Sequence, residues 1–551
     1  MLINHYHSIS CLISMAIIPE TFEMFTKRED DEGFQEFLLN NHQNIIDSKE
    51  GSEKILYSME ISRILGRVAV HERCLAEEIE KRPINRKKYD LYNKTSLYVA
   101  RRGIDIGTKM EYGRHEQGDD IPDACFNHHM GWLYVQYCMN LHESKRYFAA
   151  MEAIDRAETY LRLDLALFAD SRYQDKFIKE LKSVPLLKDL DFNVPRNKLE
   201  SILRFAFDLM YQDLYYVIIE KKIRILGKIY RLVPGDYMDM YAGYIVSLFS
   251  ILVQGKKYKL IQGLAPLWKE IKEIYPEKPK NYLDIEKLSE FDIGDNTPEE
   301  VGQYRWWCNS AHLLLTFLDF VPFIESRYQY CCDDLTLDAE DVDLKAMFED
   351  VTETFAHCRY LMYSALTDAD PKYKIAYAFS PKAKRVHNQE VLMDMYSRLY
   401  AVLDKTSHIV IKTFGITLMP KDGAKYPPQP SYNQIVKELR NSSMDNPYLM
   451  TLCDIYDEIN PRNAYREYGD LPFYSMLPEA EHMDSIRHHI VHSGFYLSVE
   501  ETGNRSNKDV AYVRERDFSN HCCSLLSLVK EAIMNTFLAI EYKERHTDKL
   551  V

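Results

Sequence analysis

The chain has 551 residues with a formal charge of −15, 46% hydrophobic and 12% aromatic residues, and only 20 Gly and 21 Pro. That length exceeds what one hydrophobic core usually serves, so two or three domains are expected, and the scarcity of Gly and Pro disfavours a many-turned β fold in favour of an all-α protein. The net negative charge excludes broad nonspecific binding to nucleic acid, because neutralising phosphates supplies most of that affinity.

The 11 cysteines are irregularly spaced, lack CxxC pairs and include the adjacent pairs Cys331-Cys332 and Cys522-Cys523, a pattern that fits neither a disulfide framework nor a zinc site. Buried thiols in a reducing compartment are expected. Cys11 to Ile18 is apolar but too short to cross a bilayer, and no basic segment or small-residue cleavage site accompanies it, so the expectation is a cytoplasmic protein with no membrane association.

In chain order, residues 1–130 read as an N-terminal helical region, with Glu53 to Glu80 as its clearest helix. The basic groups Lys81-Arg82-Pro83 and Arg86-Lys87-Lys88 read as solvated loop, and Gly113 to Pro122 as a long polar loop. From Gly131 to Leu163 the pattern is a helical hairpin in which Tyr147, Ala150, Ile154 and Ala157 recur at the spacing of a tetratricopeptide second helix. Ser201 to Leu232 is a long amphipathic stretch. A second hairpin runs from Tyr241 to Ile274 around Gly255-Lys256-Lys257-Tyr258. Residues 131–332 are expected to be degenerate tetratricopeptide-like repeats that present a surface to a protein partner, with an ordinary irregular α-domain as the alternative.

His128-His129, beside Cys125, reads as loop or packing. The run Asp333 to Asp343, DDLTLDAEDVD, lacks the glycine and ligand spacing of a calcium loop and reads as a solvated acidic linker. With the helix Leu344 to Leu366 it makes a connecting segment over 333–370. The next helix spans Gln389 to Phe414, with Leu392, Met395, Leu399, Val402, Leu403, Ile409 and Val410 on one stripe. Helices around Tyr432 to Arg440, Asn446 to Ile459 and Asp517 to Tyr542 complete a bundle over 371–551. These residues hold 23 Lys+Arg and 23 Asp+Glu, so the whole −15 falls on residues 1–370.

Pro478 to Gly494 reads as one short helix. Proline suits its first turn, Glu479 and Glu481 suit its positive end, and Ser493-Gly494 supplies a stop. At roughly 100° per residue, Asp484, Arg487, His488 and His492 share one face, while Met483, Ile486 and Ile490 lie opposite and can bury; Val491 falls on the polar face.

Arg487-His488-His489-Ile490-Val491-His492 resembles the signature of the HEPN superfamily, an arginine followed by a polar residue and closed by a histidine after a short gap. Arg398 to Lys405 resembles the first helix of the large HEPN proteins that carry a tetratricopeptide-like region before a C-terminal HEPN domain. The resemblance covers roughly residues 371–551.

It implies metal-independent RNA cleavage, in which the ribose 2′-hydroxyl attacks the adjacent phosphate. That reaction needs a base, an acid for the departing 5′-oxygen and a cation on the phosphoryl oxygens. Arg487 and His492 are the expected catalytic residues, with His488 as a supporting polar residue, Asp484 placed to orient its ring and Asp404 as a further supporting residue. HEPN domains pair about a twofold axis, so the site is expected to be composite and the protein a homodimer.

No metal or cofactor is expected. His488 and His492 have the i,i+4 spacing of zinc ligands, but no third ligand is evident nearby. No Gly-rich phosphate loop, GxSxG elbow or HExxH occurs. The resemblance leaves two functions open: an endoribonuclease of the toxin or antiviral-defence kind, regulated by its helical N-terminal region, or a catalytically silent HEPN scaffold that dimerises and binds proteins through its repeats.

Overall fold

The computed structural model describes residues 28–76, 84–116, 126–168, 172, 196–233, 235–274, 299–317, 333–367, 383–418, 430–442, 444, 446–459, 486, 490, 494–498, 505–506 and 510–547. The described residues form two compact units. One holds residues up to Gly227 together with Ile245–Glu270, and the other holds Lys228–Tyr244 and the described residues from Ile271 onward.

In the first unit, helix α1 (Glu32–Asp47) precedes α2 (Glu53–Cys74), α3 (Arg86–Glu116), α4 (Phe126–Glu143), α5 (Tyr147–Phe168) and α6 (Arg196–Ile229). α2 and α3 approach closely because Gly103 has no side chain: a Cβ there would lie 2.6 Å from Ser58 Cβ. Ser62 and Ser96 each donate a hydroxyl hydrogen to the other's carbonyl, at 2.8 and 2.6 Å. Their oxygens are thereby left to accept the Asn140 side-chain amide of α4, at 2.9 and 2.6 Å, and a Cβ at Gly66 would meet Asn140 Oδ1 at 2.7 Å. Three helices therefore meet at one buried, mutually satisfied polar node.

The hairpin expected from Gly131 to Leu163 is α4 with α5, and Ala150, Ile154 and Ala157 are fully buried. Lys145, at φ 62°, closes its turn. Lys222 of α6 reaches Asp155 and Glu158 of α5, each at 2.5 Å, and outweighs burial to draw the Glu158 carboxyl down to about 2. The Tyr241 to Ile274 stretch forms α7 (Gly235–Gln254), α8 (Tyr258–Gly263) and α9 (Ala265–Ile274), with Phe249 on Trp268 at 4.6 Å.

The second unit contains α10 (Glu299–Ser310), α11 (Val342–Thr367), α12 (Ala383–Phe414), α13 (Tyr432–Asn441), α14 (Pro447–Ile459) and α15 (Glu515–Thr547). α15 is its axis. Phe518, Cys522, Leu526, Val529, Ile533 and Phe537 are buried together with Lys530, Glu531 and Asn535, so the helix is enclosed on all sides. α11, α12 and α14 pack on it, Phe317 and Phe348 meet Phe537, and Tyr396 meets Phe518. By composition Asp517–Glu544 is long and apolar enough to cross a membrane, but 83% of its most apolar window is buried in the bundle, as a core helix requires.

The all-α architecture carries one small addition. Strands β1 (Gly494–Ser498), β2 (Arg505–Ser506) and β3 (Val510–Arg514) form a sheet in the order β1-β3-β2, with β1 parallel and β2 antiparallel to β3.

The acidic run at 333–343 is not a solvated linker. Leu335 and Leu337 are buried, Asp333 pairs with the buried Arg359 at 2.6 Å, and Asp341 accepts the Leu344 N–H at the start of α11 while pairing with Lys412 at 2.8 Å. These carboxylates are spent on local folding. α11 buries Phe348, Val351, Phe355, Cys358 and Met362, so it is a wall of the bundle. A fragment beginning at residue 371 loses all of these and is expected to be insoluble or molten. A fragment beginning at residue 299 should show one cooperative thermal transition by circular dichroism, and cooperative unfolding of the shorter piece would contradict this.

His128 and His129 sit in the first turn of α4; Cys125 lies outside the described residues. Burial pushes the His129 ring down to about 4, and burial with its neighbour pushes His128 to about 3. Unfolded, both rings take up a proton near pH 6.5. The neutral fold therefore has its full stability above pH 6.5 and loses it as pH falls from there toward about 4. The melting temperature of the full chain should drop between pH 6.5 and 4.5, and a His128→Phe/His129→Phe variant should show a shallower drop; an unchanged slope would contradict it.

Candidate nuclease site

Arg487, His488, His492 and Asp484 lie outside the described residues, as does Val491. Their described neighbours show how the segment is held. Ile486 and Ile490 are both helical. Ile486, directly before Arg487, is 1% exposed, and Ile490 is half-buried, on the face expected to anchor the helix.

Two residues after His492, Gly494 opens β1, which pairs residue for residue with β3 from Gly494 opposite Val510 to Ser498 opposite Arg514. β3 runs without a break into α15. Leu497 and Val513 are buried, and the Leu497 carbonyl accepts from Gln389 of α12 at 3.5 Å, a weak contact. The segment carrying the arginine and histidines is thus fixed at one end by a core isoleucine and at the other by a strand continuous with the bundle's axis.

On α12, Leu399, Val402 and Leu403 are buried, Arg398 makes an exposed pair with Asp394 at 2.8 Å, and Lys405 reaches Asp350 at 2.8 Å and the Thr354 hydroxyl at 3.1 Å on α11. Asp404 Oδ1 accepts the Tyr432 N–H at 3.0 Å. Because Ser431 makes no side-chain cap, Asp404 caps α13 from another helix and favours the positive end of its dipole. Its described contact is a positioning one within the bundle.

Two buried polar residues of α15 escaped the sequence reading. His521 is 2% exposed, three residues after Phe518 and four before Leu525, so it falls within the apolar stripe that could have flagged it. Lys530 is 1% exposed and donates to the His312 carbonyl at 2.5 Å. Among the described residues no group of three or more His, Cys, Asp or Glu is placed to hold a metal ion.

Residues 335–543 match the family model of the LA2681-like HEPN domain. The C-terminal bundle is a HEPN domain. The match starts at the buried Leu335, so it takes in the segment read as acidic linker and connecting helix, and it encloses α11 to α15, the sheet and the positions of Asp484, Arg487, His488 and His492. No curated protein and no solved structure matches the chain.

Asp404→Ala is expected to cost about 1–2 kcal/mol through loss of the α13 cap. Asp404→Asn, which keeps an acceptor, should cost less. Thermal or urea unfolding of the full chain reads both, and an unaffected Asp404→Ala protein would show the cap to be dispensable.

Proposed function

We propose that the protein is a metal-independent endoribonuclease of HEPN type. Arg487 binds the scissile phosphate with its two-pronged guanidinium, His492 transfers a proton, His488 supports the arrangement and Asp484 orients the His488 ring. The 2′-oxygen bonds to phosphorus as its proton passes to the base, and the phosphorus–5′-oxygen bond breaks as that oxygen takes a proton from the acid. The products are a 2′,3′-cyclic phosphate and a 5′-hydroxyl.

One helix cannot easily place an acid and a base on opposite sides of a phosphate, so the site is composite, completed by the same residues of a second copy of the chain about a twofold axis. The protein acts in the cytoplasm as a toxin or antiviral-defence effector, and its helical N-terminal region, tetratricopeptide-like in character, regulates it through a protein partner. The observation that carries this reading is the HEPN match over 335–543, which encloses Arg487 to His492. The burial of Ile486 beside Arg487 supports it.

The full chain is expected to cleave total RNA in EDTA and to leave 2′,3′-cyclic phosphate or 3′-phosphate ends. Arg487→Ala and His492→Ala should each lower the rate by about 10²–10⁴-fold. Products with 3′-hydroxyl ends, or activity that returns only with divalent ions, would move the evidence to a metal mechanism. A folded, dimeric protein that leaves RNA intact would leave a HEPN scaffold that binds proteins.

A further inference from the structure

The first unit contains a cavity of about 1410 Å³ lined by α2, α4 and α6. It is larger than the roughly 300–1,000 Å³ that suits a single small molecule. It is also long: Leu56 to Cys74 on α2 and His128 to Glu143 on α4 both line it, spans of about 27 and 22 Å at 1.5 Å per helical residue.

Its described lining carries six carboxylates and five lysine or arginine side chains, a balance that disfavours a polyanion such as RNA. Arg63 and Arg67 are already engaged by Glu29 and Glu60, at 2.6–2.9 Å, whereas Asp30 and Glu32 at the rim make no ion pair among the described residues. Val70 and Met139 are 37% and 42% exposed within it, beside the half-buried Trp132 and Met59.

Two polar side chains in the lining are more than nine-tenths buried yet have a polar atom with no hydrogen-bond partner, His129 Nδ1 and Asn93 Oδ1. Buried polar atoms of this kind are costly unless something meets them. They lie at opposite ends of the groove. His129 is in the first turn of α4, and Asn93 donates its amide to Ser144 Oγ just past the last turn, at 2.8 Å. Fifteen helical residues separate those ends by about 22 Å. A compact ligand cannot reach both, whereas an extended polypeptide offers an N–H or C=O every residue and covers that length with about seven.

We propose that this groove receives an extended segment of a partner protein, bound by backbone hydrogen bonds to His129 and Asn93, with an apolar side chain against Trp132, Met59 and Met139 and a basic side chain at Asp30 and Glu32. The proposal rests on the reading of the N-terminal region as the regulatory part, while its test measures binding with no RNA present. The two can therefore fail separately.

The probe is a library of random decapeptides displayed on phage and panned on the full chain, followed by fluorescence anisotropy with a labelled selected peptide. Selected peptides should share an apolar residue and a lysine or arginine. Their affinity should fall at least tenfold with Met139→Glu and, separately, with Asp30→Lys/Glu32→Lys. Replacing the peptide's basic residue by glutamate should restore binding to the charge-reversed protein, and Asp394→Lys on exposed α12 should change nothing. Because all these positions are exposed, the variants keep the core intact. Failure to select any peptide, or an affinity indifferent to both groove variants, would overturn the proposal.

Discussion

A guanidinium inside a protein is tolerable only when its donors are met, and Arg359 on α11 is buried. Asp333 takes two of its hydrogen bonds in a fork, at 2.6 and 2.7 Å, the Leu313 carbonyl a third at 2.8 Å and the Tyr304 hydroxyl a fourth at 3.1 Å. Burial alone would pull its pKa down, and Asp333 outweighs that to hold it above the usual arginine value. Helix α10, the turn after it, the acidic segment and α11 are thereby pinned to one charge. With Asp333 removed, the uncompensated cation would cost about 3–5 kcal/mol, a large share of a domain's stability. The position of α11, and with it one side of the HEPN bundle, depends on this cluster.

The helices were legible because their apolar stripes keep a 3.6-residue period. Tyr432 to Arg440, Asn446 to Ile459 and Asp517 to Tyr542 reappear as α13, α14 and α15 with ends shifted by a few residues. The acidic segment was not, since its two leucines are embedded among carboxylates; yet Leu335 and Leu337 alternate with polar residues as an extended, half-buried stretch does. Charge density hid a period of two. The strands were hidden differently. Phe495-Tyr496-Leu497 and Val510-Ala511-Tyr512-Val513 have strand composition, but β3 joins α15 with no Gly or Pro to mark the change.

At the candidate site, the burial of Ile486 followed directly from its place on the helical wheel, whereas the anchoring of the segment's other end depended on a parallel pairing between residues sixteen positions apart, which no local pattern encodes. The same limit applies to Asp404. Its residue type suggested chemistry, and only the fold brings Tyr432 to it as an unmet donor. In the N-terminal unit, the node of Ser62, Ser96 and Asn140 combines residues from three helices, and Gly66 and Gly103 make sense only once those helices touch.

The enclosure of α15 also sets an order of events. During synthesis α11, α12, α13, α14 and the segment with Arg487 all precede it, so each leaves the ribosome with an apolar face that has no partner until the axis arrives. The bundle cannot close around a helix that has not yet been made. Strand β3, which secures the far end of the arginine–histidine segment, is translated immediately before that axis. Anchoring of the segment and completion of the core therefore coincide, and a nascent chain stalled anywhere before α15 carries the motif without the scaffold that would hold it.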